Sequence, residues 1–396
     1  MTDSTGLLAR TFLGWTASAG FMFANLSPAL VSGMLDDHGF TPAQASAVFS
    51  ADMYGTAVGV LAVVGLVNRI RWRGVTLALL GAMLLADVAS VWLHESVTLT
   101  VARFVHGCFG GGLVGVVYAV IARVGNAERT LGIHMVIQLS LGGVGIAVLG
   151  PLVPAWGVAP MWLALAGYNV IALVMVRSLG DYPIPQSATA AATATDDAVA
   201  RAPLPMLPVT LVIVAVLLFQ ASQMGIFSFA MEVGRYHNLA PDFVGLSVAA
   251  GLWFAIPCGL LVVWWSLRSG RVRPLVVSIS LTALGIFLYV VNSPAVFVLA
   301  NLLFAGAFAV ALPYLFGLAA DFDVSGRFAA FIAFVSTTAL ATGPIVAARI
   351  SGDGDYPLVA IVATAGMAAS LLAALYPAYV LDRGVTAYRS SSTSPL

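Results

Sequence analysis

Five ionisable side chains lie deep inside apolar stretches of the chain: Asp52, Asp87, Arg103, His106 and His134. Two of them open the segment RFVHGCFGGGLVG, Arg103 to Gly115, inside an apolar run from about Leu99 to Val124. At helical spacing Arg103, His106, Gly107 and Gly110 fall on one stripe, at i, i+3, i+4 and i+7, so one face is charged and then bare. Away from water such groups are costly unless they meet a partner or a wet cavity. Asp52 sits about ten residues into its own run, roughly 15 Å along a helix at 1.5 Å per residue. A carboxylate at that depth resists ionisation, which suits a proton carrier; the alternative is a static ion pair with Arg103. Asp87 is the competing partner, in a structural pair with the same arginine.

His106 shares the Arg103 stripe, and His134 shares another with Gln138, four residues on. An imidazole titrates at about pH 6.5, so either could relay a proton; the competing fate is a hydrogen bond between helices. Gly107, Gly110 and Gly111 suit close helix packing, with a hinge as the alternative. His237 and Asp242 have the H-x4-D spacing of some acyltransferases, where histidine is the base and aspartate orients it. Their short loop has no other catalytic feature, and helix entry at Pro241-Asp242 accounts for them better. No catalytic residue is assigned, and the chain is expected not to be an enzyme.

Such residues need elements to hold them. Of 396 residues, 60% are hydrophobic and 9% charged, with a mean hydropathy of +0.99. A water-soluble chain of this length carries far more charge, so the fold class is an all-α membrane protein. Net charge is zero, and no basic tract is available for nucleic acid. Cys108 and Cys258 both lie in apolar stretches, which indicates neither a disulfide framework nor a metal site, and no cofactor is expected. The first apolar run is span-length and ends in Asp36-Asp37, so it is read as a retained span and not a cleaved signal.

A membrane-crossing helix takes about 20 apolar residues. Twelve such runs lie near 12–35, 43–68, 74–93, 98–123, 130–154, 158–178, 208–231, 242–266, 274–292, 295–319, 328–349 and 357–380. With both termini cytoplasmic, the inner segments hold fourteen arginines, the outer ones only Arg235 and Arg349, and Arg103 is in the membrane. That is a strong positive-inside bias. Gly180 to Pro205 is the longest hydrophilic stretch and contains the low-complexity run SATAAATATDDA. It divides the chain into residues 1–179, a cytoplasmic linker 180–207, and residues 208–396, with six runs on either side.

The halves echo one another. HGFTP at His38–Pro42 answers HNLAP at His237–Pro241, and Arg69 answers Arg268, both 199 residues on. FVHG at Phe104 answers FVLA at Phe297, and LGPLV at Leu149 answers TGPIV at Thr342, both 193 residues on. Parallel repeats of this kind build one large transporter fold.

Twelve spans in a 6+6 pattern, with arginine-rich loops after spans 2 and 8, resemble the major facilitator superfamily over nearly the whole chain. Its loop motif G-x-L-x-D-R-x-G-R-R/K is matched by VGLVNRIRWR at Arg69 and Arg73, with Asn68 at the acidic position and Arg71 in place of glycine. Its fourth-span R-x-x-x-G motif is matched from Arg103 to Gly112. The fifth-span glycine-proline motif is matched in part by Gly150-Pro151, and Gly343-Pro344 suggests a bend common to both halves. The resemblance implies two pseudo-symmetric six-helix bundles around a central cavity, with Arg69 and Arg73 in gating. Asn25, Gln138, Gln220, Gln223 and Asn301 are candidate solute contacts beside Arg103, or bonds between helices.

The expected activity is secondary active transport, with protons as coupling ions and the lipid bilayer as surroundings. The deep arginine favours a small organic acid or an amphipathic solute. Proton-antiport efflux of drug-like or toxic compounds is the alternative, and a membrane-embedded enzyme or a non-transporting sensor the alternative of another class. The second half holds 14 of the 21 phenylalanines, which suits an apolar portion of a solute or simply lipid. A monomer in a cell membrane is expected, the inner one if the source is bacterial.

Overall fold

The computed structural model describes residues 6–64, 71–124, 127–180, 182, 206–265, 270–322, 327–352 and 354–392. Regular structure among them is helical throughout. Hydrocarbon offers the backbone no partners, so an apolar run of span length must bond its N–H and C=O groups within itself.

In chain order the helices are α1 Leu7–Ala19, α2 Met22–Asn25, α3 Ser27–Asp37, α4 Pro42–Val64, α5 Trp72–Ser90, α6 Ser96–Ile121, α7 Ala127–Leu149, α8 Val153–Trp156 and α9 Ala159–Ser178. After the linker come α10 Met206–Phe227, α11 Ala230–Tyr236, α12 Pro241–Trp265, α13 Val272–Leu288, α14 Pro294–Phe322, α15 Arg327–Ser351 and α16 Tyr356–Ser392. Every apolar run meets a helix. Among the described residues ten helices are long and apolar enough to cross a membrane, and the chain is a multi-pass membrane protein. Two runs depart from the expected twelve: α13 has 17 residues, and the first run is broken into α1, α2 and α3. Gly20 ends α1, and Pro28, which has no N–H to donate, opens α3.

Local chemistry sets the boundaries. At the start of α4, Gln44 Oε1 accepts the Thr41 N–H at 2.9 Å while Thr41 Oγ1 accepts the Gln44 N–H at 3.2 Å, a reciprocal cap followed by Pro42. The two glycine-proline sites differ in local structure. α7 passes at Leu149 into a 3-10 segment, Gly150–Leu152, whereas α15 stays α-helical past Pro344. Pro154 follows Pro151 within one turn, so the first site loses two N–H donors where the second loses one.

α4 packs tightly along α6, α5 lies on α6 and α9, and α1 lies on α7 and α9. In the second half α12 and α13 lie on α14, and α10 lies on α15 and α16. The halves meet along α4–α15 and α7–α12, with Tyr54 Oη 2.9 Å from Thr342 Oγ1 and Trp253 Nε1 donating to Ser140 O at 3.1 Å. Arg73 Nη2 donates to Leu179 O and so ties the start of α5 to the end of α9. Arg69 and linker residues 183–205 lie outside the described residues.

Candidate functional site

The close approach of α4 and α6 builds the site. Gly55 and Gly59 on α4 face Gly107 and Gly111 on α6, and each leaves room for a backbone carbonyl of the other helix. A methyl group on Gly107 would overlap the carbonyl of Asp52, and one on Gly111 that of Thr56. This small-residue seam lets the backbones touch and sets Asp52 beside Arg103 and His106. α5 supplies Asp87 and Ser90, α9 supplies Trp162 and Asn169, and the broken first run supplies Phe23.

Arg103 meets both of its candidate partners. Its Nε donates to Asp52 Oδ2 at 3.2 Å, and its Nη1 donates to Asp87 Oδ1 at 2.8 Å and to Ser90 Oγ at 3.3 Å. The guanidinium carbon lies 4.4 Å from the Phe23 ring centroid and 4.9 Å from that of Trp162, so two aromatic faces cover it. His106 Nδ1 lies 2.7 Å from Asp52 Oδ2 and 3.0 Å from Arg103 Nη2, and its Nε2 lies 3.3 Å from Asp87 Oδ1. Asn169 Nδ2 donates to Asp87 Oδ2 at 2.8 Å. The relative exposures of Asp52, Asp87, Arg103 and His106 are 1%, 0%, 0% and 3%, so water screens none of these charges.

The group's charge is easily counted. Two carboxylates and one guanidinium leave one net negative charge, which a single proton on His106 cancels. Burying uncompensated charge costs several kcal/mol even after relaxation. His106 Nδ1 is the ring nitrogen in hydrogen-bond contact with Asp52, while Nε2 lies near Asp87 Oδ1 without a hydrogen bond to it.

The other sequence candidates are distributed differently. His134 belongs to a separate set, with Nδ1 3.0 Å from Ser18 Oγ and 3.2 Å from Gly14 O, and Nε2 3.0 Å from Tyr118 Oη. Asn25 and Gln138 bond each other: Asn25 Nδ2 donates to Gln138 O at 3.1 Å, and Gln138 Nε2 donates to Asn25 Oδ1 at 3.4 Å. Asn301 is engaged by Tyr289 Oη at 2.8 Å and by Phe297 O at 2.8 Å. Gln220 Nε2 donates to Ser336 Oγ at 2.6 Å, while the Oε1 atoms of Gln220 and Gln223 are buried without a partner among the described residues. Gly110 faces Gly20 and not α4. His237 Nε2 lies 2.7 Å from Tyr289 O, which ties it to backbone. Among the described residues no group of three or more His, Cys, Asp or Glu is arranged to hold a metal ion.

Sequence reasoning missed one cluster. Arg235 on α11 donates to both oxygens of Asp36 on α3, each at 2.6 Å, and to Ser32 Oγ at 3.1 Å, with Glu232 Oε2 3.4 Å away. A signal was present: Asp36 and Arg235 are 199 residues apart, the spacing that relates HGFTP to HNLAP. Sequence reasoning also passed over Gly55 and Gly59, although their four-residue spacing matches that of Gly107 and Gly111.

No protein-family model matches the chain, and no curated protein does. Solved structures do. A variant of the nucleoside transporter NupG aligns with a TM-score of 0.74 at 12% identity, over 93% of this chain and 99% of that one. A D-xylose-proton symporter aligns at 0.69 and 15%, over 94% and 96%. The inward open conformation of the xylose transporter XylE from E. coli aligns at 0.70 and 14%, over 93% and 94%. The chain therefore has the major facilitator fold, as its motifs led us to expect.

Proposed function

We propose that the chain is a secondary active transporter that moves a small solute by alternating access, with a proton as coupling ion. One observation carries this reading: Asp52, Asp87, Arg103 and His106 are buried together, and their charges balance only when the group holds one proton. Removing that proton leaves an uncompensated buried charge, a driving force for moving helices or admitting water. The proton is assigned to the cluster and not to one residue. The shared fold with a D-xylose-proton symporter and a nucleoside transporter supports the class.

The solute reading shifts away from an organic acid. Arg103 already serves two carboxylates, and a solute carboxylate would have to displace one of them. The unpartnered carbonyl oxygens of Gln220 and Gln223 call for O–H or N–H donors. A neutral, hydroxyl-bearing solute fits these groups better than an acid, an amphipathic compound or a drug-like one. In this reading residues 1–179 and 208–396 are two six-helix units joined by the 180–207 linker within a single chain. The arginine-rich side and both termini are cytoplasmic. The contact between α3 and α11 then closes the outer side.

The test uses proteoliposomes with an imposed pH gradient and a panel of labelled pentoses and nucleosides. Gradient-driven accumulation is expected from the native protein. His106→Gln should lose accumulation yet keep exchange of solute without a gradient. Accumulation that persists in both His106→Gln and Asp52→Asn would overturn the coupling assignment.

A further inference from the structure

A crevice of about 540 Å³ lies between α12, α13 and α14. α12 and α13 each pack on α14, which forms its floor. Phe254 and Leu261 on one wall and Val277 and Leu281 on the other are exposed, and in a multi-pass membrane protein exposed apolar side chains of this kind face hydrocarbon. The volume is in the range of a single small ligand. Its serine, Ser278, donates to Pro274 O at 2.7 Å, so that hydroxyl is already satisfied within the helix.

Among the described residues one charged side chain lines the crevice, Arg273, in the first turn of α13 on the arginine-rich side of the bundle. Its neighbour Arg271 takes the nearby carboxylates, Asp321 at 2.6 Å and Asp382 at 3.4 Å. Among the described residues Arg273 has no carboxylate partner, and it is exposed. A cation at the mouth of an apolar, bilayer-facing crevice calls for a ligand with a long apolar tail and an anionic head. We propose that the crevice holds an acyl chain of an anionic phospholipid, with Arg273 on its phosphate. A free phosphate would satisfy the arginine but leave the apolar walls bare. The inference rests on membrane insertion and is independent of the transport reading.

Cys258 lines the crevice, and Cys108 on α6 lies in the other half, so the native protein carries both a reporter and a control thiol. Alkylation by N-ethylmaleimide is followed at each cysteine by peptide mass spectrometry, in phosphatidylcholine nanodiscs with and without phosphatidylglycerol. Phosphatidylglycerol is expected to slow Cys258 relative to Cys108 by about fivefold, the weight of one arginine at an anionic membrane surface. Arg273→Gln should abolish that difference, and Arg273→Lys should keep it. Equal slowing at both cysteines, or slowing of Cys258 that survives Arg273→Gln, would overturn the proposal. So would protection by inorganic phosphate in phosphatidylcholine alone, which would make this a free-anion site.

Discussion

Asp36 and Arg235 meet through both carboxylate oxygens at 2.6 Å although 199 residues separate them. Equivalent positions of two repeats face each other when they lie beside the axis relating the repeats. Here the two positions carry opposite charges, so the approach of α3 to α11 is attractive. The pair joins the halves of the chain at one end of the bundle, and Ser32 and Glu232 complete it.

This contact should act as a latch of modest strength. The Arg235 side chain is 48% exposed, and exposed ion pairs contribute about 1 kcal/mol or less. A cysteine at Thr342, on a background without Cys108 and Cys258, would report access from the latched side to a charged thiol reagent. Arg235→Ala should raise its labelling rate by roughly fivefold at most. The swap Asp36→Arg with Arg235→Asp should restore most of the protection, and a swap no better than the single variant would count against a charge latch.

The latch should also tighten in acid. Burial pushes the Glu232 carboxyl above the ordinary carboxylate range, against the opposing effects of the Ser32 hydroxyl and the Arg235 guanidinium; Asp36 pushes in the same direction as burial, and Tyr356 is a further neighbour. A group that binds its proton more tightly in the latched state stabilises that state below its ordinary pKa and loses the contribution as pH rises through the raised value. Protection of Thr342→Cys should therefore increase as the pH on that side falls toward the ordinary carboxylate range. Glu232→Gln should flatten the profile at the protected level.

The seam between α4 and α6 has no room to spare. Gly107→Ala and Gly111→Ala would each drive a methyl group into a carbonyl of α4, and overpacking of this kind costs about 1–3 kcal/mol or more. Both should lower the Tm of detergent-solubilised protein. Gly74→Ala and Gly167→Ala, which meet nothing within 4 Å, should leave it unchanged. Equal effects at all four positions would remove the seam's special status.

Breaking the buried charge cluster should be worse than neutralising it. Arg103→Met leaves two carboxylates without their cation, a loss of about 3–5 kcal/mol for a buried pair. Adding Asp87→Asn to that variant removes one of those charges and should recover much of the Tm. Arg103→Lys should not substitute, because one ammonium cannot span Asp52, Asp87 and Ser90 as the planar guanidinium does.

The sequence by itself determined the membrane class, the helical runs and their arginine bias, because a bilayer imposes a one-dimensional rule on length and charge. It also singled out Asp52, Asp87, Arg103 and His106, since an ionisable group in an apolar run is conspicuous wherever it points. Only the tertiary structure decided how they combine. Asp52 and Asp87 were rivals for Arg103 in sequence, yet both reach it, because the α4–α6 seam and the packing of α5 on α6 bring them to one depth from two sides. Tertiary contacts likewise tied Asn301, Asn25 and Gln138 into bonds between protein groups and left Gln220 and Gln223 each with an unpartnered oxygen. A side chain's partner depends on how neighbouring helices are rotated about their axes, and that rotation is set by packing across the whole bundle, beyond the reach of spacing along any one helix.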